Sequence, residues 1–177
     1  MVKHLGFTKL RREIEPRWVS WYIKQFYPDG EVRLRCPLGP IPDELKALHG
    51  PAKAARVYRP SRPEVDALVV LDNELILIEA KIFKYMDGLA KLPVYASLVP
   101  ETDELDVFSG RPLTMHLLIP VPIPWVVAAA PRLNVQVKVE APEWLLQIWE
   151  ERDKYWQPGA RAQREDRKAL LKRLGFV

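Results

Sequence analysis

The middle of the chain, from residue 62 to residue 81, holds two short strand-like runs of apolar positions. Its two apolar halves are separated by Asp72 and Asn73, which are turn-prone and tolerate a positive φ, so the pattern predicts a β-hairpin with a two-residue turn. Pairing follows by counting outward from the turn, which places Leu68 opposite Leu77. Because directly opposed residues of an antiparallel pair point to the same side, this side carries Leu68, Val70, Leu75 and Leu77.

The same register brings three charged residues together at the open end of the hairpin. Asp66 faces Glu79, and Lys81 lies two residues further along the strand and therefore points to the same side. Two opposed carboxylates repel each other unless a cation compensates them. A divalent cation between Asp66 and Glu79, assisted by Lys81, would supply that compensation. This hypothesis requires both acids on one side of the sheet, with no basic side chain filling the gap between them.

Apolar periodicity predicts the remaining elements. Helices are expected over residues 7–26, 42–48, 83–98, 124–130 and 142–156, and further strands over residues 31–36, 113–121 and 134–140. Residues 51–63 are rich in basic side chains without a clear period. They are either a solvated loop or a positive rim just before Asp66, where phosphates would approach.

Two elements carry more specific expectations. In the first helix, Glu15-Pro16 is expected to start the main part, because proline is tolerated in a first helical turn. The strand at residues 31–36 should turn Val32 and Leu34 inward, and a basic face that includes Arg35 outward.

Composition and charge limit the class of protein. A chain of 177 residues, nearly half of them apolar, fits one globular domain. No apolar run is long enough for a membrane span, and the single cysteine, Cys36, fits a reducing compartment. The expected location is therefore the cytoplasm, or the host cytoplasm or a virion for a viral protein. The domain is expected over 1–157. A basic helical tail follows over 158–177, which suits a polyanionic partner or is a solvated terminal helix.

Other chemistries find little support in the residues. One cysteine and three histidines offer no zinc-ligand spacing, and neither a P-loop nor a serine nucleophile motif is present. His116 lies in the middle of an apolar strand, so it is expected to be a packed histidine rather than a ligand.

Asp66 on the second strand and Glu79-Ala80-Lys81 on the third, in this order of elements, resemble the PD-(D/E)XK nuclease superfamily. That superfamily includes restriction enzymes, Holliday-junction resolvases, transposon-end nucleases and RecB-like exonucleases. The resemblance covers about residues 13–140. It implies an α/β fold with a restriction-endonuclease-like αβββαβ core, in which helices flank a mixed sheet, and with extra C-terminal helices.

The resemblance also implies the roles of the site residues. Asp66 and Glu79 would bind Mg²⁺, or Mn²⁺ in its place, together with the backbone carbonyl of Ala80, while Lys81 would orient or deprotonate the attacking water. Hard oxygen ligands suit Mg²⁺, which polarises the phosphoryl oxygen and lowers the pKa of bound water.

Neighbouring acids widen the possible ligand set. Superfamily members often place a glutamate of the first helix near the metal; Glu13 and Glu15 are the candidates here, with Glu15 preferred, although a capping role explains Glu15 equally well. The proline expected directly before Asp66 is absent. Glu64 adds a third carboxylate on the same side, as a second metal ligand or a rim residue.

Basic residues around the hairpin are the expected DNA contacts. RecB-like members carry Gln-x-x-x-Tyr in the helix after the lysine, and this chain keeps Tyr95 with Lys91 in place of the glutamine, although Pro93 lies between them. The expected contacts are Arg56, Arg59, Arg62, Lys84, Lys91 and Tyr95.

The leading hypothesis is thus a Mg²⁺-dependent deoxyribonuclease that hydrolyses phosphodiester bonds. An alternative is a nuclease-fold protein that binds DNA, or serves a recombination or viral-particle assembly, without hydrolysis. In that case the C-terminal helices would join a partner. A third hypothesis is an unrelated α/β domain in which the three charged residues form a surface ion cluster. A homodimer is expected only by analogy with the superfamily.

Overall fold

The computed structural model describes residues 7–154 and 158–173, with side chains described over 14–150, 162–163 and 165–173. Its helices are α1 (Phe7–Phe26), α2 (Asp43–His49), α3 (Pro51–Tyr58), α4 (Tyr85–Leu98), α5 (Pro124–Ala129), α6 (Glu143–Lys154) and α7 (Pro158–Arg173). Its strands are β1 (Glu31–Pro37), β2 (Glu64–Val70), β3 (Leu75–Ala80), β4 (Leu113–Ile119) and β5 (Val135–Val139). Short 3₁₀ helices lie at Arg59–Ser61, Val99–Glu101, Asp103–Phe108 and Ala130–Leu133.

The strands form one mixed sheet in the order β1-β2-β3-β4-β5. β1, β2 and β3 are antiparallel neighbours, whereas β4 runs parallel to β3, and β5 runs parallel to β4. A parallel neighbour needs a long crossover, and α4 supplies the one between β3 and β4. The predicted α/β class with a mixed sheet flanked by helices is therefore confirmed.

The predicted register of the central hairpin is also confirmed. Leu68 pairs with Leu77, and Val70 pairs with Leu75. The backbone N–H of Leu71 donates to the carbonyl of Glu74 at 3.0 Å, which closes the turn.

Each face of the hairpin is covered by one helix. On the side of Leu68 and Leu77 the sheet packs in one apolar cluster with Leu89 and Leu92 of α4, and all four side chains are fully or almost fully buried. On the other side α1 packs over β2 and β3. Burying one such leucine contributes about 1.5–3 kcal/mol, so α4 is held firmly over the hairpin.

Two expectations about chain segments are corrected. Pro16 lies inside a continuous α1 rather than at a helix start; the loss of one backbone hydrogen bond there is outweighed by burial of Trp18 and Tyr22 in the same helix. Val32 and Leu34 are 37% and 50% exposed rather than inward. The reason is that β1 is an edge strand and α1 packs over β2 and β3 instead. Residues 51–63, which had no clear pattern, form α3 and a 3₁₀ turn.

The chain separates into two compact units, residues 1–140 and 141–177, whereas the boundary expected from sequence fell between residues 157 and 158. The first unit contains the whole sheet, and the second contains α6 and α7. Residues 155–157 and 174–177 lie outside the described part of the chain. Within that part, no helix combines the length and apolar character that crossing a membrane requires.

Candidate metal centre

The candidate site lies where β2 and β3 stop pairing. The last backbone pair is Ala67 with Ile78, one residue short of Asp66 and Glu79. Beyond it, the Oδ2 atom of Asp66 accepts a hydrogen bond from the backbone N–H of Ala80 at 2.9 Å. A side chain thus replaces a strand carbonyl as partner, and it fixes Asp66 against β3.

Three oxygen atoms surround the ammonium group of Lys81. Its Nζ lies 2.6 Å from Glu79 Oε1 and 3.0 Å from the carbonyl oxygen of Ala80. Asp66 Oδ2 is further away, at 3.8 Å. The Glu79 and Lys81 side chains are buried, whereas that of Asp66 is 33% exposed, so Asp66 faces the solvent side of the cluster.

Helix α4 packs closely against the Lys81 side chain at Gly88. A Cβ atom at Gly88 would lie 2.7 Å from Lys81 Cγ and 2.7 Å from Leu117 Cδ1, which is closer than real Cβ contacts. Only a residue without a side chain lets the helix approach the lysine stem this closely. From sequence, Gly88 only weakens a helix, and no local pattern reveals its packing role.

Burial and charge shift the ionisation of the cluster. Burial, and next the neighbouring Asp66 carboxylate, raise the pKa of Glu79 to about 7 against the opposing effect of Lys81. Burial alone would lower the pKa of Lys81, but Glu79 and Asp66 outweigh it and the pKa is raised. Lys81 is therefore a permanent cation at neutral pH.

One oxygen of the cluster remains unsatisfied. Glu79 Oε2 is buried and has no hydrogen-bond partner among the described residues. Leaving a buried acceptor unpaired costs about 1–3 kcal/mol, and more when it carries charge. An additional cation close to Glu79 would remove this cost, so the donor set fits a hard divalent ion.

The predicted metal ligands and the predicted catalytic lysine thus meet at one point. Both acids lie on the same side of the sheet, as the hypothesis requires. Its second condition is not met, because the Lys81 ammonium itself lies among Glu79 Oε1, Ala80 O and Asp66 Oδ2. A metal ion can bind these oxygens only if Nζ moves away from them.

The other predicted acids are Glu15, Glu13 and Glu64. Glu15 is partly buried on α1, and its charge adds to those of Glu79 and Asp66 in raising the pKa of Lys81. The side chain of Glu13 lies outside the described residues. Glu64 forms ion pairs with Arg59 at 2.8 Å and with Arg35 at 3.3 Å, so it is a rim residue in this structure.

Two expected DNA contacts lie in the interior. Arg62 is buried and forms two hydrogen bonds with the Glu104 carboxylate, at 2.6 and 2.9 Å. Tyr95 belongs to the apolar cluster beneath α4, where burial and the charges of the site raise its pKa. Because buried side chains do not contact a phosphate, the expectation for Arg62 and Tyr95 is corrected.

The other expected DNA contacts reach the surface. Arg56 and Lys84 are exposed, and Lys84 has a left-handed backbone just before α4. Lys91 is partly exposed and pairs with Asp87 at 3.1 Å. Arg59 is half exposed.

His116 lies on β4, which is flanked by β3 and β5 in the sheet. It is buried, and its Nδ1 lies 3.2 Å from the Tyr27 hydroxyl oxygen. Burial lowers its pKa to about 4, so it is neutral at physiological pH. The prediction of a packed histidine is confirmed.

Comparison of the chain with protein-family models, with curated proteins and with solved structures gave no match. Among the described residues, no three or more His, Cys, Asp or Glu side chains form a metal-binding group. A metal centre here would therefore combine two carboxylates with the Ala80 carbonyl.

Proposed function

We propose that this chain is a Mg²⁺-dependent deoxyribonuclease with a restriction-endonuclease-like core, which hydrolyses phosphodiester bonds at Asp66, Glu79 and Lys81. The observation that carries the proposal is the convergence of Asp66 Oδ2, Glu79 Oε1 and Ala80 O on one cationic group. Carboxylate and carbonyl oxygens are the ligands that Mg²⁺ prefers, and substrate phosphate usually completes its coordination.

The residues divide the chemistry between them. Asp66, Glu79 and the Ala80 carbonyl would hold Mg²⁺ or Mn²⁺, which supplies charge neutralisation at the phosphate and a bound water of lowered pKa. Lys81 keeps its proton because its pKa is raised. Its positive charge would stabilise the negative charge that develops on the phosphate.

In this structure Lys81 provides the cation that the two carboxylates need. Its ammonium compensates Asp66 and Glu79 as a metal ion would, and this keeps two acids stable side by side. Asp66, Glu79 and the Ala80 carbonyl would hold a metal ion only in place of the Lys81 ammonium, and the displaced Lys81 would then be available to the substrate phosphate.

Cleavage of DNA tests the proposal. Supercoiled, linear and branched DNA are incubated with Mg²⁺ or Mn²⁺ and the wild type, Asp66→Asn or Lys81→Met. Asp72→Asn makes the same chemical change at the exposed turn of the same hairpin and is the matched control. We expect cleavage by the wild type and by the control, and a loss of at least about 100-fold in the two site variants. Undiminished cleavage in both site variants, or no cleavage of any DNA by the wild type, contradicts the proposal.

The position of Lys81 also favours a second candidate function, a DNA-binding component that has this fold but does not hydrolyse DNA. If Nζ stays on the three oxygens, the lysine occupies the place of a metal ion and no metal enters. Exposed basic residues of α7, such as Arg167 and Lys168, suit a polyanionic partner. This candidate predicts equal DNA affinity in Mg²⁺ and in chelator, with no cleavage in either.

A further inference from the structure

Arg35 has an unusual backbone at a particular position of the sheet. Its φ is +50°, in the left-handed region that residues with a Cβ seldom adopt. Its neighbours on β1 pair as Leu34 with Ala67 and Cys36 with Val65, which places Arg35 across from Asp66. Strained backbone of this kind persists where the surroundings hold it, and it is concentrated at functional sites.

Arg59 forms a hydrogen bond with the backbone of Arg35. Its Nη2 donates a hydrogen bond to the Arg35 carbonyl at 2.8 Å, and its Nε donates to Glu64 Oε1 at 2.8 Å. The other oxygen of Glu64 lies 3.3 Å from Arg35 Nη2. One carboxylate is thus shared by two guanidinium groups, and no second carboxylate of the described residues pairs with either, so this group of three side chains keeps a net positive charge.

An open cleft of about 490 Å³ lies beside these side chains. It is lined by Arg35, Arg59, Pro60, Arg62 and Glu64. The Arg62 charge is neutralised in the interior by Glu104, so the charge of the cleft comes from Arg35 and Arg59. Their side chains are 74% and 48% exposed. A guanidinium group matches the geometry of a phosphate, because it can donate two parallel hydrogen bonds.

We propose that Arg35 and Arg59 form a phosphate-binding cleft, which holds the backbone of a nucleic-acid strand next to Asp66. The inference deepens the proposed function and rests on it, since the cleft adjoins the candidate metal centre. Glu64 orients both guanidinium groups, and a phosphate engages their exposed N–H groups. Such contacts position a strand without reading its sequence.

Binding measured without metal tests the cleft independently of catalysis. Fluorescence anisotropy of a labelled duplex of about 20 base pairs, and of its single strand, is recorded in chelator between about 50 and 200 mM salt. We expect Arg35→Gln and Arg59→Gln each to weaken binding about tenfold and to reduce the salt slope by about one. Arg132→Gln removes the same charge from an exposed position beside β5, at the opposite edge of the sheet, and should bind like the wild type.

A second variant separates binding from folding. Glycine adopts a φ of +50° without strain, so Arg35→Gly should fold at least as stably as the wild type and still bind DNA about tenfold more weakly. Arg35 and Arg59 variants that bind as tightly as Arg132→Gln overturn the inference, as does a wild type that binds neither DNA. Wild type that binds through this cleft without cleaving DNA refutes the proposed nuclease activity and leaves the cleft standing.

Discussion

Replacement of Glu79 by glutamine measures how much the ionised Glu79 carboxylate lowers the free energy of unfolding. Glu79 is buried, one of its oxygens contacts Lys81, and the other has no hydrogen-bond partner among the described residues. Glutamine keeps the shape and keeps an oxygen that can accept a hydrogen bond from Lys81. It removes the charge that burial and Asp66 disfavour.

The direction in which Glu79 changes stability with pH follows from its pKa, which is raised from 4.5 to about 7 in the folded protein. A carboxyl group with a raised folded-state pKa binds its proton more tightly in the native state, so it favours folding at low pH. That advantage is lost as the pH rises from 4.5 through 7. Linkage puts the cost of the ionised group at about 1 kcal/mol near pH 5 and about 3 kcal/mol near pH 8.

We therefore expect Glu79→Gln to be more stable than the wild type, with a gain about 2 kcal/mol larger near pH 8 than near pH 5. The competing effect is loss of the ion pair with Lys81. It is the smaller one, because Ala80 O, Asp66 and the glutamine oxygen still surround Nζ.

Urea unfolding at the two pH values in chelator measures these differences. Glu101→Gln, at an exposed position, is the control and should show no pH-dependent gain. A Glu79→Gln protein that is less stable than the wild type near pH 8, or that shows the same change at both pH values, refutes the reasoning. Glu79 would then be mainly a structural partner of Lys81.

Two further changes test the packing around the site. Gly88→Ala should destabilise the protein by up to about 2 kcal/mol in urea unfolding, because overpacking against Lys81 and Leu117 exceeds the roughly 1 kcal/mol gained in helix propensity; unchanged stability contradicts the close approach. Glu104→Gln should cost about 1–3 kcal/mol in urea unfolding, because it weakens the hydrogen bonds to buried Arg62; unchanged stability contradicts the pairing of Arg62 with Glu104.

The part of the site that follows from local rules was predictable. The turn residues Asp72 and Asn73 determine the register by counting outward, and a slip of one residue would exchange the two faces of a strand and separate Asp66 from Glu79. The meeting of Asp66 and Glu79 is a direct consequence of that register.

The features that depend on distant elements were not predictable. The burial of Arg62 depends on Glu104, which is far away in the sequence and reaches Arg62 only after folding. The exposure of Leu34 depends on which strands α1 covers, and periodicity does not specify this. The left-handed backbone of Arg35 has no sequence signal, because it arises at a residue type that rarely adopts it.

The position of the Lys81 ammonium was likewise not predictable from sequence. Alternation places the residue on the correct side of the sheet, but the direction of a flexible four-carbon side chain depends on the helix above it. Here α4 approaches closely at Gly88, and the Lys81 ammonium lies on the acidic oxygens.

The central claim is that Asp66, Glu79 and the Ala80 carbonyl form a divalent-cation site from which Lys81 can be displaced. Calorimetric titration of Mn²⁺ into wild type, Lys81→Met and Asp66→Asn tests it most directly, with no dependence on DNA or on cleavage. We predict that Lys81→Met binds Mn²⁺ at least about tenfold more tightly than the wild type, a gain of about 1.4 kcal/mol, and that Asp66→Asn loses binding. Absence of binding in both the wild type and Lys81→Met, or undiminished binding in Asp66→Asn, would show that the three residues form an ion cluster and no metal centre.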